Sequence, residues 1–194
     1  MAKATGPTYK VAFRRRRENR TNYTKRLGMI KAGTPRLVVR ASNKNIVVQI
    51  IAFHPKGDRT LAMASSHELE KFGWLPQANT PTAYLTGMLA SKRAKSAGTE
   101  SAHLDIGMAS ATNGRILFAA ALGAKEGGLK LNMPDTLVDV KRISGTHISE
   151  YAKKLETENK EKYEKQFSRY AKKNIDVKNL PQIFEETKGK ILSR

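Results

Sequence analysis

The chain has 194 residues, 36 of them Lys or Arg against 17 Asp or Glu, which gives a formal net charge of +19 and a pI near 10.2. That length allows one sizeable core with appendages, and that charge points to a polyanionic partner, either a nucleic acid or an anionic surface. Cysteine is absent, which excludes disulfide scaffolds, zinc ribbons, thiol catalysis and iron–sulfur clusters held by Cys.

Residues 1–40 hold twelve Lys or Arg and a single acidic residue, Glu18, a net +11 of the total. Met1-Ala2-Lys3-Ala4 has no apolar stretch behind it, so no signal peptide is expected. No run approaches the roughly 20 apolar residues of a membrane helix, and the expectation is a soluble intracellular chain. In such a chain Asn19-Arg20-Thr21 and Asn22-Tyr23-Thr24 fit the glycosylation pattern by chance. The arm centres on Phe13-Arg14-Arg15-Arg16-Arg17-Glu18, followed by Arg20, Asn22, Tyr23, Lys25 and Arg26. Like charges repel and the segment is weakly apolar, so it is expected to be disordered alone and to order on a polyanion. Guanidinium forks suit phosphate, and the flanking rings of Phe13 and Tyr23 suit unpaired bases. A solvated arm or a nuclear-targeting tag is the plainer reading of such a run; the interleaved aromatics favour binding.

Thr21 to Lys31 reads as a short helix with Tyr23, Leu27 and Ile30 on one face, weakened by Gly28 and stopped by Gly33-Thr34-Pro35. Three strand signals follow, at Arg36–Ala41, Asn45–Phe53 and Thr60–Ser66, the middle one densely β-branched. Ser42–Asn45 and Pro55–Asp58 read as hairpin turns, which predicts a three-stranded antiparallel meander. Thr80 is the expected cap and Pro81 the expected first residue of a helix that ends at Gly98. A fourth strand is expected at Ser101–Ile106, and a second core helix from about Gly114 to Glu126, ended by Gly127-Gly128. The predicted fold is α/β, a mixed sheet in the order β-β-β-α-β-α with helices packed on it. It carries an extended basic N-terminal arm and a helical C-terminal extension. The predicted domains are 1–34, 35–133 and 134–194. In the last, Thr146–Leu155 and Glu158–Lys173 read as exposed helices held by Lys/Glu pairs. Leu180–Leu192 carries a modest apolar face.

Cations also bracket the strands. Arg36, Arg40 and Lys44 flank the first, and Lys56 and Arg59 sit at the second hairpin. The candidate RNA-binding set is therefore Lys10, Phe13, Arg14, Arg15, Arg16, Arg17, Arg20, Asn22, Tyr23, Lys25, Arg26, Arg36, Arg40, Lys44, Lys56 and Arg59. No catalytic residue, metal site or cofactor is expected. The loop Asp105–Gly114 lies where open α/β sheets often bind ligands, but it has no GxGxxG and no Walker Lys. The element order resembles ribonuclease-H-like nucleases, which hold two metal ions between carboxylates on neighbouring strands. Asp105 would be one carboxylate, yet Arg36–Phe53 contains no Asp or Glu to join it, too few oxygens for two metals. His54, His67, His103 and His147 are scattered, and no GxSxG elbow exists.

Longer strings resemble a family. Thr5–Val11, Phe13–Glu18 and Thr21–Leu27 are similar to the arm of the archaeal and eukaryotic type of universal large-subunit ribosomal protein eighteen. The likeness continues through Pro35–Arg40, Asn45–Ile51, Lys56-Gly57-Asp58, Phe72-Gly73-Trp74, Asn79–Gly87, Leu104–Gly107 and Gly127-Gly128-Leu129, roughly residues 5–150. Three letters depart from it: Asn19 stands where the family would carry Gly, Leu122 where it carries a basic residue, and Thr146 where it tends to Glu. The resemblance implies a cytoplasmic constituent of the large ribosomal subunit. Such a protein would bind 5S rRNA, attach it to large-subunit rRNA in the central protuberance, and lie beside other ribosomal proteins there, away from any membrane. A free-standing RNA-binding regulator is the alternative.

Overall fold

A computed structural model describes residues 6–193. Arg14–Arg17 forms one helical turn, α1, and Tyr23–Lys31 forms α2. Strands β1 (Arg36–Ala41), β2 (Ile46–Ala52) and β3 (Arg59–Ser65) follow. A 3-10 stretch at Ser66–Phe72 leads to α3 (Thr80–Ser96), β4 (Ser101–Asp105), α4 (Ile116–Glu126) and β5 (Lys130–Leu131). The C-terminal part holds α5 (Val140–Ile143), α6 (Thr146–Glu158), α7 (Lys160–Gln166), α8 (Ser168–Lys172) and α9 (Leu180–Leu192).

Among the described residues five strands make one mixed sheet in the order β3-β2-β1-β4-β5. The first three are the expected antiparallel meander, and β4 runs parallel to β1, with β5 parallel to β4. Leu37, Val39, Val48, Ile50, Ala62 and Ala64 alternate onto one face and are buried there with α3 and α4. Arg36, Val38 and Arg40 take the opposite face of β1, as the two-residue period requires, and parallel pairing of Val38 with Asp105 puts that carboxylate among them.

The two core helices touch backbone to backbone. A Cβ on Gly87 of α3 would lie 1.9 Å from the Ala120 carbonyl oxygen, and one on Gly123 of α4 would lie 2.0 Å from that of Tyr84. The glycines, together with the alanines of α4, are what let the helices approach this closely.

Several expectations change. Asn79, not Thr80, caps α3: its side chain accepts from the Thr82 N–H, and Thr80 and Pro81 are the first helical residues. The two-residue β5 and the 3-10 stretch carry no periodic signal and were not expected. The helix expected over 158–173 is two short ones, Lys160–Gln166 and Ser168–Lys172, separated at Phe167, which turns inward and is buried. The C-terminal helices are not simply exposed. Ala152, Leu155, Tyr170, Phe184 and Ile191 belong to the same buried cluster as the sheet. Phe184 packs its ring against Trp74 and Tyr84, with centroids at 6.1 and 5.5 Å. Glu126 accepts from the Tyr84 hydroxyl, and Lys188 of α9 lies 3.2 Å from the same carboxylate.

Candidate nucleic-acid interface

The arm is locally organised rather than featureless. Glu18 lies 3.8 Å from Arg14 and 3.2 Å from Arg20, so one carboxylate offsets repulsion at both ends of α1. Asn19 then turns the chain with φ of 53°. That is the left-handed region, where Gly is at ease and Asn is among the better-tolerated side chains. The Arg15 Nε donates to Thr21 Oγ1 at 2.8 Å. The Asn22 side-chain oxygen caps α2 by accepting from the Lys25 N–H at 3.1 Å, so half of that amide is committed to structure. Phe13 and Tyr23 stack on each other, 5.1 Å between centroids and tilted by 54°. Phe13 is still 69% exposed, so the pair presents one aromatic step. The described part of the arm begins at Gly6; Met1–Thr5 lie outside the described residues.

Asp58 ties the arm to the sheet, and Asp105 continues the link along the sheet. Asp58, in the β2–β3 turn, accepts from Arg26 of α2 at 2.9 Å and from Arg36 of β1 at 2.6 Å. Asp105 accepts from Arg36 at 2.8 Å, from Arg40 at 3.1 Å and from the Gly107 N–H at 2.8 Å. Arg40 also donates to the Asp105 carbonyl at 2.8 Å, with its guanidinium stacked over Gly107, where a Cβ would come within 3.0 Å. The result is a ladder Arg26–Asp58–Arg36–Asp105–Arg40 in which each acid is shared by two guanidinium groups.

A cleft of about 480 Å³ opens beside this ladder, between the arm and the ends of β1 and β4. Arg15, Arg20, Lys25, Arg26, Arg36 and Arg40 line it, with Asp105 the one carboxylate. A neighbouring hollow of about 400 Å³ shares Arg20 and Arg40 and adds Arg115. Arg115, which precedes α4 and donates to the Ser110 carbonyl at 2.8 Å, is not among the residues that the sequence singles out. Its signal is a lone Arg ending the Asp105–Gly114 loop, visible only if that loop is placed against the arm.

The candidate residues thus separate. Arg15, Arg20, Lys25, Arg26 and Arg40 converge. Arg14, Arg16, Arg17 and Lys10 are exposed along the arm. Lys44 stands at the β1–β2 turn, while Lys56 and Arg59 stand at the opposite end of the sheet, about 20 Å away at the rise of a six-residue strand. Arg36 stands apart from the other cations. It is 6% exposed, and two of its nitrogens are bonded to carboxylates, while Nε is buried without a partner. It borders the cleft, but its guanidinium is spent on the two aspartates, and it acts as the keystone of the ladder. The same bonds engage both Asp105 oxygens. Among the described residues no helix is long and apolar enough to cross a membrane.

Residues 7–100 match the family described as ribosomal large subunit proteins 60S L5 and 50S L18. The chain is 48% identical to large ribosomal subunit protein uL18 of Metallosphaera sedula over 191 residues, covering 98% of each chain. It belongs to the uL18 family. To uL18 of Ignicoccus hospitalis it is 47% identical, across 97% of this chain and 94% of that one. As a uL18 protein it is a structural, non-enzymatic constituent of the large ribosomal subunit, a cytoplasmic particle, with rRNA and ribosomal proteins as its partners. The alignment to both uL18 relatives runs almost end to end, so the C-terminal helices are part of what is shared.

Proposed function

We propose that this uL18 protein binds 5S rRNA and attaches it to large-subunit rRNA in the central protuberance. The observation that carries this reading is the cationic cleft, where Arg15, Arg20, Lys25 and Arg26 of the arm converge with Arg40 of the sheet. Five side chains from the arm and the sheet, three of them (Arg20, Arg26 and Arg40) paired with internal carboxylates, form a preset surface for a phosphate backbone. Such contacts supply affinity and register, and preorganisation lowers the cost of ordering on binding. Residues 1–34 act as the grasping arm, with Lys10, Arg14, Arg16 and Arg17 tracking phosphates and Phe13 and Tyr23 offering a stacking step to an unpaired base. Residues 35–133 are the platform, and residues 134–194 are a helical extension packed against it. Lys44 at one end of the sheet and Lys56 and Arg59 at the other reach different RNA segments, which suits a protein that joins two RNAs.

The test is binding of the purified chain to labelled 5S rRNA at about 150 mM salt, near physiological screening, against excess tRNA and duplex DNA. Retention of 5S rRNA under competition is the expected result. Equal displacement by every competitor would leave the arm a generic polyanion tether and overturn the reading.

A further inference from the structure

A second concave site lies away from the arm, between the start of α3 and helices α6, α7 and α8. It encloses about 610 Å³. Three rings, Tyr151, Phe167 and Tyr170, form its walls, with Gln77, Gln166 and His147 beside them. We propose that this cavity receives one unpaired nucleobase of the ribosomal RNA. The inference rests on the reading of the chain as an RNA-binding protein but concerns a different surface and a different kind of contact.

Three features favour a base. Aromatic faces hold any base by stacking, independent of sequence. Amides carry a donor and an acceptor on one planar group, which matches the edge of a base. Here they have capacity to spare: among the described residues Gln77 uses only its oxygen, accepting from the Tyr170 hydroxyl at 3.4 Å, and the exposed Gln166 side chain has no partner. His147 adds an Nδ1 that is shielded from solvent and has no hydrogen-bond partner, a polar group left unsatisfied in the free protein. Burial pushes the Tyr170 hydroxyl up to about 12, so its proton stays in place for the bond to Gln77.

Charge separates a base from the competing occupant, a side chain of a neighbouring ribosomal protein. Arg169 sits on the helix that carries Tyr170, is exposed, and among the described residues is in no ion pair. Arg169 is near enough to the Tyr170 hydroxyl to offset part of the burial effect. One unspent cation beside Tyr170 fits a phosphate next to an inserted base. An apolar side chain would use the rings alone and leave both the amides and that cation idle.

The test compares large subunits that contain the full-length chain, wild type or carrying Tyr151→Ala or Gln166→Ala. Tyr151 is 46% exposed and Gln166 is exposed, so both variants should melt like wild type. Bases are then probed with a base-specific modifying reagent. The expected result is one base, protected in wild-type subunits, that becomes on the order of tenfold more reactive in both variants, the effect of losing a stacking partner. Identical reactivity patterns in all three would overturn the proposal. So would a variant whose only change is the loss of a chemical cross-link from residues 151–170 to a neighbouring protein. An Arg15→Ala/Arg20→Ala chain serves as the separate control. If that chain binds RNA as tightly as wild type, the arm reading fails, while base reactivity at the cavity still decides this one.

Discussion

Arg36 and Arg40 are two residues of one strand face with opposite fates. Arg40 is half exposed and can reach a phosphate, whereas Arg36 is enclosed and neutralised by Asp105 and Asp58. Sequence alone treats them alike, because the carboxylates that claim Arg36 lie 22 and 69 residues further on. Removing one partner from a buried pair leaves an uncompensated charge, which is costlier than the pair was stabilising. Asp105→Asn should therefore destabilise the fold by about 3 kcal/mol, read as a lower urea midpoint at unchanged slope. Lys44→Ala, at an exposed turn, should stay within about 0.5 kcal/mol of wild type. Equal midpoints for the two variants would show that the ladder holds nothing together. Asn19 shows what its departure from the family's Gly means: the backbone there has φ of 53°, a left-handed conformation that Asn tolerates better than most side chains. Leu122, in a position the family resemblance gives to a basic residue, is buried in the core cluster, consistent with an apolar choice in this chain.

At the scale of elements, glycine has two opposite meanings in this chain. Gly28 lies inside α2 with open space around it, and Gly123 lies inside α4 against the Tyr84 backbone. Gly28→Ala should stabilise the helix by up to about 1 kcal/mol, the difference in helix propensity. Gly123→Ala must push two helix backbones apart and should cost about 3 kcal/mol, the upper part of the usual overpacking range. Thermal melts of the two variants should move in opposite directions, and a Gly123→Ala protein that melts like wild type would deny the close crossing. A second element-level contact joins α3 to the end of β3. Glu68 accepts from Arg93 at 3.1 and 2.5 Å and from the Ser65 N–H at 2.9 Å. The Arg93 hydrogen bond, chiefly, holds the Glu68 carboxyl below its ordinary 4.5, against the opposing effect of burial. A lowered folded value means that this contribution is complete above about pH 4.5 and is lost as pH falls through the lowered value. Both groups are partly solvated, so it should amount to about 1 kcal/mol or less. The melting gap between wild type and Glu68→Gln should be constant above about pH 5 and shrink in acid; a gap independent of pH would discount the ion pair. Periodicity made the meander, α3, α4 and α9 readable in advance. It could not show β5, which is two residues long, nor the break at Phe167, which exists because that ring is drawn into a core contributed by distant helices.

For the whole molecule, the central question is whether RNA affinity and fold stability reside in separate parts of the chain. Among the described residues none from 6 to 20 is buried, although residues 1–20 carry seven of the 36 basic side chains. Deleting residues 1–20 should therefore leave a cooperative melt at nearly the wild-type temperature, since the core stays whole. RNA binding should respond very differently. With about six phosphate contacts, affinity of the intact chain should drop roughly a thousandfold between 50 and 200 mM salt, taking the duplex-DNA slope as a guide. Every phosphate that the arm no longer neutralises should make the slope of log affinity against log salt shallower by about one. The shortened chain retains Lys25, Arg26 and Arg40 on the cleft, so a shallower but nonzero slope is expected. A slope unchanged by the deletion would move the RNA interface off the arm altogether. A broadened or absent melt would instead mean that the arm, through Arg15 and Thr21 and the Phe13–Tyr23 stack, is part of the folding unit, because those are the links that tie it to α2.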